Sequence, residues 1–340
     1  MVEGISKTLI AIHGLQTHFH VKRGFFRRTQ ANVMAVDDVD LSLFSGETLG
    51  LVGESGCGKS TLARTIIRLE QATGGQVLYH ENGNQVDLLK LDRRSLKHFR
   101  RNIQMVFQDP SSSMNPQMTN FDIVAEPLVI NRLARGKELK YRVNQLFEQV
   151  GISASIALRY PNALSGGQRQ RVVIARALAL NPRVLIADEP VSALDISVQS
   201  QILNLLNNLK LDHGLTYLFI SHNLNVVRHM SDRIAVMYLG RIVELGDCED
   251  VYYRPRHPYT ESLLSSIPHP KKLTKRSDHR IVLQGDVPDP AHPPSGCRFH
   301  PRCIYATDKC KFDDPHLVSA GPSHSAACHY TNSLSLRGAD

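Results

Sequence analysis

Gly53-Glu54-Ser55-Gly56-Cys57-Gly58-Lys59-Ser60 has the spacing G-x-x-x-x-G-K-S, and Thr61 follows it. Glycines so placed let the backbone wrap a chain of phosphates, a lysine offsets charge on the β and γ phosphates, and the serine hydroxyl reaches Mg2+. The motif stands between an apolar run, Thr48 to Val52, and a helical run, which is the context this chemistry requires. A nucleotide polyphosphate with Mg2+ is therefore the expected ligand. A second apolar run, Val184 to Ala187, ends in Asp188-Glu189. Asp188 can hold the Mg2+ shell through water, and Glu189 is placed to orient or deprotonate an attacking water. Gln108, at the end of another short strand, would join this metal and water site. His222 follows the next strand, one helix beyond Glu189, from where an imidazole could reach the γ-phosphate.

Leu164-Ser165-Gly166-Gly167-Gln168 opens the helical run Arg169 to Ala179. Such a start offers bare backbone N–H groups and a hydroxyl to a phosphate. A chain with a phosphate loop of its own has no evident need of a second phosphate site, so this one serves a nucleotide held by another copy or partner. Asp195 reads most simply as the N-cap of the helix that follows it.

These residues need an α/β scaffold. Alternation at Val36, Val39, Leu41 and Leu43 predicts a half-buried strand that turns at Gly46-Glu47 into Thr48 to Val52. Arg101 to Phe107 reads as a strand that stops before Pro110. Apolar residues at Leu139, Val143, Leu146, Phe147 and Val150 lie on one helix face, and Val198, Ile202, Leu205, Leu206 and Leu209 repeat the pattern. With Val184 to Ala187 before it and Tyr217 to Ile220 after it, that second helix makes a βαβ unit of a mostly parallel sheet. Ile234 to Tyr238 and Ile242 to Leu245 read as a hairpin. Of the 17 prolines, 11 fall between Pro255 and Pro322, so the chain beyond about Tyr253 is expected to be a separate, irregular appendage.

A length of 340 residues exceeds what a single core ordinarily organises, consistent with a main domain plus an addition. The apolar stretches are strand-length, short of the roughly 18 residues that span a bilayer. The N-terminal residues lack a secretory pattern, and a cytoplasmic location is the expectation. A net charge of +8 suits an anionic partner without choosing among ATP, lipid and nucleic acid. Cys57 and Cys248 are isolated, whereas Cys297, Cys303, Cys310 and Cys328 form a local group. Four thiolates on a short irregular segment could ligate one tetrahedral zinc or one [4Fe-4S] cluster, although the spacing is not the C-x-x-C of common zinc sites.

Taken in order, Gly53 to Ser60, Gln108, Leu164 to Gln168, Asp188-Glu189, Asp195 and His222 resemble the ATP-binding-cassette ATPases, over roughly residues 8 to 250. The resemblance implies an α/β P-loop nucleotide-binding domain over 1–253, with a mixed sheet core, a β-subdomain and a helical subdomain at about 110–180. It also implies a head-to-tail dimer in which Ser165, Gly166, Gly167 and Gln168 clasp the partner's nucleotide and Asp195 makes a contact across the boundary. Gln108 would match the loop that senses Mg2+, and His222 the switch histidine. An aromatic stacks on adenine in that family; Phe19 is the choice here, with Phe25 and Phe26 competing.

Past Asp250, His257-Pro258-Tyr259-Thr260, Gly296-Cys297 and the cysteine group resemble the C-terminal extension of oligopeptide and dipeptide importer ATPases, as do Gln108-Asp109-Pro110 and Met114-Asn115-Pro116. That implies an extension over 254–340 with a four-cysteine site, for which the family favours the iron–sulfur cluster. It implies a second ATPase subunit, a paralogue, and two membrane permeases. An extracytoplasmic peptide-binding protein and a peripheral position on the cytoplasmic membrane face complete the picture. Some relatives handle nickel or other small solutes. A soluble cassette ATPase acting on nucleic acid is the rival, opposed by the single cassette and the importer-like extension.

Overall fold

Runs such as Thr48–Val52, Val184–Asp188 and Thr216–Ser221 have every side chain buried, as strands covered on both faces do. The computed structural model describes residues 7–23, 28–81, 83–267 and 281–339. In chain order its strands are β1 (Thr8–Arg23), β2 (Arg28–Phe44), β3 (Thr48–Val52), β4 (Gly74–Glu81), β5 (Asn84–Asp87), β6 (Ile103–Val106), β7 (Val184–Asp188), β8 (Thr216–Ser221), β9 (Arg233–Tyr238), β10 (Arg241–Asp247), β11 (Val318–Gly321) and β12 (His324–Ala326). The helices are α1 (Lys59–Ile66), α2 (Arg93–Asn102), α3 (Pro110–Ser113), α4 (Asn120–Ile130), α5 (Gly136–Gln149), α6 (Ala154–Ala157), α7 (Gly166–Leu178), α8 (Ile196–His213), α9 (Leu224–Met230), α10 (Cys248–Tyr253), α11 (Pro258–Ser265) and α12 (Asp308–Phe312). None of the described helices is long and apolar enough to cross a membrane.

The chain divides into two units. One comprises Met1–Phe44, Thr48–Lys90 and Ser221–Asp340. In it β2, β1, β4 and β5 form an antiparallel sheet in that order. A second set of strands runs β11-β12-β10-β9-β3: β3 and β9 are parallel and the other pairs antiparallel. The hairpin expected around Leu239-Gly240 is β9–β10, with both turn residues at positive φ (42° and 81°). The described residues beyond 254 form part of this same unit. Strand β12 pairs with β10, placing Glu244 opposite Ala326.

The other unit comprises Ser45–Glu47 and Leu91–Ile220. Its strands β6, β7 and β8 are parallel and in register from Ile103↔Val184 and Val184↔Thr216. From Pro110 to Leu178 the described elements are helices only, α3 to α7 with one short 3-10 turn. Helix α5 buries Val143, Leu146 and Phe147, and α8 buries Ile202, Leu203, Leu206 and Leu209 before Gly214 ends it in the left-handed conformation (φ 61°). The strand expected from Arg101 is shorter: Arg101 and Asn102 close α2, and β6 begins at Ile103.

Candidate nucleotide site

In the first unit, Gly53 to Gly58 link β3 to α1, which opens on Lys59 and Ser60. Gly53 (φ 157°) and Gly58 (φ 109°) admit no other residue: a Cβ would lie 2.2 Å from the Met237 carbonyl oxygen and 2.0 Å from that of Ala35. Lys59 is 5% exposed, and its ammonium donates to the carbonyls of Gly53 and Glu54, both at 2.8 Å. It also lies 3.6 Å from the Cys57 sulfur. Burial pushes the Cys57 thiol up from its ordinary value, against the pull of Lys59, so Cys57 is a packed thiol rather than a thiolate. Gly58 caps α1 without a side-chain bond. A helix start without a side-chain cap, as at α1, is where a phosphate fits. Phe19 lies on β1 opposite Val33 and is 38% exposed, available for stacking; Phe25 and Phe26 lie outside the described residues. His222 is exposed just before α9.

In the second unit, Asp188 is 1% exposed at the end of β7, and Glu189 follows at φ 47°, a left-handed conformation costly for a side-chain-bearing residue. The Glu189 N–H donates to the Ile220 carbonyl at 2.9 Å, and the Gln108 amide donates to its carboxylate at 3.1 Å. Gln108 and Glu189, far apart in sequence, therefore meet. Ser165 and Gln168 form a capping box on α7: the Gln168 N–H donates to the Ser165 hydroxyl at 3.3 Å, and the Ser165 N–H to the Gln168 side-chain oxygen at 3.1 Å. That hydroxyl accepts within the box and keeps its O–H to donate, so the helix start offers an anion that O–H together with the N–H groups of Gly166 and Gly167. A Cβ on Gly167 would come within 2.6 Å of Val198, so this glycine also lets α7 approach α8. Asp195 does occupy the N-cap position of α8, but its side chain makes no capping bond.

Cys297, Cys303, Cys310 and Cys328 line one small cavity of about 20 Å3 together with His257, Tyr305 and Tyr330. Burial pushes the Cys297 thiol up to about 12 and the Cys303 thiol up to about 11. Backbone N–H groups of Phe299, Tyr305 and Tyr330 face the sulfurs of Cys297, Cys303 and Cys328, the last at 3.4 Å. Four converging thiols with N–H donors are the donor chemistry of a metal–thiolate centre. The cavity has room for about one small atom rather than a four-iron cube. Among the described residues no group of three or more His, Cys, Asp or Glu stands at metal-holding spacing.

Sequence reasoning missed three residues around the phosphate loop. The Glu54 N–H donates to the Tyr259 hydroxyl at 2.8 Å, and Arg302 grips the Glu54 carboxylate with both terminal nitrogens, at 2.7 and 3.1 Å. Tyr259 is fully buried against Tyr238 and Phe299, with ring centroids 4.6 and 5.4 Å away. Burial also keeps the His257 imidazole neutral, with its pKa down to about 3, while its Nδ1 accepts the Tyr259 N–H at 3.1 Å. The signal was present in His257-Pro258-Tyr259, since a buried tyrosine needs a partner for its hydroxyl, but nothing local names that partner.

A glycine-cradled phosphate loop, a strand ending in Asp-Glu and a capped glycine pair define a P-loop nucleoside triphosphatase of the cassette type. The sequence pattern of the ABC transporter family matches residues 36–192, and that of the oligopeptide/dipeptide transporter C-terminal region matches residues 243–310. The chain is 49% identical to the oligopeptide transport ATP-binding protein AppF of Bacillus subtilis, over 97% of this chain and 99% of that protein. It is 46% identical to the dipeptide transport ATP-binding protein DppF of Haemophilus influenzae, over 93% and 95%. A dimeric ATP-binding cassette in a post-hydrolysis state with ADP and Pi superposes with a TM-score of 0.62 at 30% identity, over 71% of this chain and 99% of the other. The chain belongs to the ATP-binding-cassette transporter ATPases, in the branch that carries the oligopeptide/dipeptide C-terminal region, and its activity is ATP hydrolysis.

Proposed function

We propose that this ATPase powers uptake of oligopeptides or dipeptides through a membrane complex. The observation that carries the reading is the oligopeptide/dipeptide C-terminal region at residues 243–310, in a chain that matches peptide-transport ATPases almost end to end. The complex comprises a second ATPase subunit, a paralogue of this one, two integral permeases and an extracytoplasmic peptide-binding protein. The ATPase sits peripherally on the cytoplasmic membrane face.

In this reading Lys59 and the N–H groups from Gly53 to Thr61, with Ser55, Gly56 and Cys57 shaping the curve, bind the β and γ phosphates, and Phe19 stacks on adenine. Mg2+, when bound, neutralises charge developing on the transferred phosphoryl group; Ser60, Asp188 and Gln108 are the residues to hold it. Glu189 takes the proton of the attacking water, and its bond to Gln108 supports that role by orienting the carboxylate. His222 contacts the γ-phosphate. Ser165, Gly166, Gly167 and Gln168 clasp the partner's ATP, and Asp195 meets the partner at the same boundary.

Cys297, Cys303, Cys310 and Cys328 would hold a metal centre that folds a proline-rich segment: one zinc fits the small cavity, and the [4Fe-4S] cluster would require the four thiols to move apart. Anaerobically purified protein then carries iron and is brown, or is colourless with one zinc; protein with neither metal removes this part of the reading. The function is tested by reconstituting the chain with candidate permeases and binding proteins. Peptide should stimulate ATP turnover, whereas stimulation by nickel or another small solute alone would reassign the cargo.

A further inference from the structure

Glu54 is the second residue of the phosphate loop, and three of its groups are held. Its carbonyl accepts the Lys59 ammonium at 2.8 Å, its N–H is taken by the Tyr259 hydroxyl, and its carboxylate by the two-pronged Arg302 contact. Two of these holds come from the region beyond residue 254. Arg302 is 9% exposed and also reaches the Tyr238 hydroxyl at 3.4 Å. It closes a 3-10 turn, His300–Arg302, that lies between Cys297 and Cys303. The turn is tied by Arg302 N–H to the Phe299 carbonyl at 3.0 Å and Cys303 N–H to the His300 carbonyl at 3.3 Å. The Cys297 N–H bonds to the Cys310 carbonyl at 2.9 Å, which locks the turn to a third cysteine.

We propose that Arg302 and Tyr259 are positioning residues of the phosphate loop, and that through the turn carrying Arg302 the ATP affinity of this subunit depends on the integrity of the four-thiol cavity. The charge argument gives the proposal its sign. Glu54 places a carboxylate beside a loop that must receive a polyphosphate anion, and like charges in a partly desolvated setting repel. The bidentate guanidinium neutralises that carboxylate and fixes its backbone, and so the carbonyl that Lys59 leans on. A reordered cavity would turn Arg302 away, leave Glu54 charged and unpaired, and weaken ATP binding before it touched the hydrolytic step.

The inference rests on the phosphate loop holding ATP and is independent of the cargo, so full-length protein with Mg-ATP suffices as the probe. Arg302→Ala should raise the KM for ATP about tenfold, the order expected when a charged partner is removed from a partly buried pair, with kcat changed far less. Arg302→Lys, which keeps the charge and loses the fork, should fall between. Glu54→Gln in the Arg302→Ala background should recover most of the loss, because the repelling charge is gone. Cys303→Ser should raise the KM in the same direction. Arg298→Ala removes a different ion pair of the same segment, with Asp37, and should leave the KM for ATP near wild type even where it lowers Tm.

An unchanged KM in Arg302→Ala, or no recovery in the double variant, overturns the positioning role. A Cys303→Ser protein that is folded and has wild-type KM overturns the link to the cavity. A general loss of folding would lower Tm and kcat together and would not be offset by Glu54→Gln, which separates it from the effect proposed. Wild-type protein that binds no Mg-ATP would instead sink the nucleotide reading beneath this one.

Discussion

Glu189 combines two features seldom joined by accident, a left-handed backbone (φ 47°) and a carboxylate held by Gln108. The first costs the fold roughly 1–2 kcal/mol, and the second aims the oxygen. Glu189→Gln keeps the backbone and removes the base, so Mg-ATP binding should persist while turnover falls about 10²–10⁴-fold. Glu189→Gly should abolish turnover as well yet raise Tm by a few degrees, since glycine relieves the strain. Calorimetry beside steady-state assays checks both; a Glu189→Gln enzyme with near-normal turnover would remove Glu189 from the chemistry. At this scale the sequence was most legible where chemistry fixes spacing, as in Gly53 to Ser60 and Asp188-Glu189. It was silent on the contacts that join Glu54 to Tyr259 and Arg302, because a contact spanning 248 residues leaves no local periodicity to read.

Helix α7 is more than a carrier of the capped glycine pair. Arg169 donates to the Pro161 carbonyl at 3.0 Å and to the Ser111 hydroxyl at 3.3 Å, while Arg176 reaches the Ser113 carbonyl at 2.8 Å and Glu126 at 2.7 Å. Both arginines therefore grip α3, the short helix that directly follows the Gln108 loop. Arg176→Ala should cost about 1–3 kcal/mol of stability, since Glu126 and a carbonyl lose a charged donor, and should loosen the Gln108 loop. Urea titration reads the first effect and hydrogen exchange at residues 108–113 the second; unchanged exchange there would refute the coupling. Helices α5 and α8 were legible because their apolar residues recur at three and four. The second half of β2 was legible from Val36 to Leu43, whereas β1, 16 residues long, was not, because register shifts such as those between Ile12 and Leu15 and between Thr17 and His18 break the alternation that marks a strand. The start of α7 was placed three residues late, since two glycines disguise a first turn that the Ser165 and Gln168 box nonetheless defines.

Across the whole molecule, buried titratable groups set the response to pH. His257 is held neutral with a pKa of about 3, well below its ordinary 6.5, so the unfolded chain takes up a proton that the folded one refuses. The stability tied to this group is fully present above about pH 6.5 and should fall by roughly 1.4 kcal/mol per unit as pH drops toward 3. Asp37 acts lower on the scale. Burial alone raises its pKa, but the Arg298 and Arg241 guanidiniums hold its carboxyl below the usual range. That contribution is complete above about pH 4 and is lost only in stronger acid. Thermal melts from pH 8 to 4 check the order, and His257→Asn should flatten the decline between 6.5 and 4; a melt equally pH-dependent in that variant would assign the effect elsewhere.

The pairing of β12 with β10 has a consequence for how the protein survives its own synthesis. A ribosome delivers β10 some 80 residues before β12, and until then one side of β10 offers a row of unanswered N–H and C=O groups. Glu244, which ends with no exposed surface and accepts His324 Nε2 at 2.7 Å, waits through the same interval without that partner. The nascent ATPase thus passes through a sticky stage that the β11–β12 hairpin ends, and chains released before it, by nonsense mutation or proteolysis, should be the ones that aggregate.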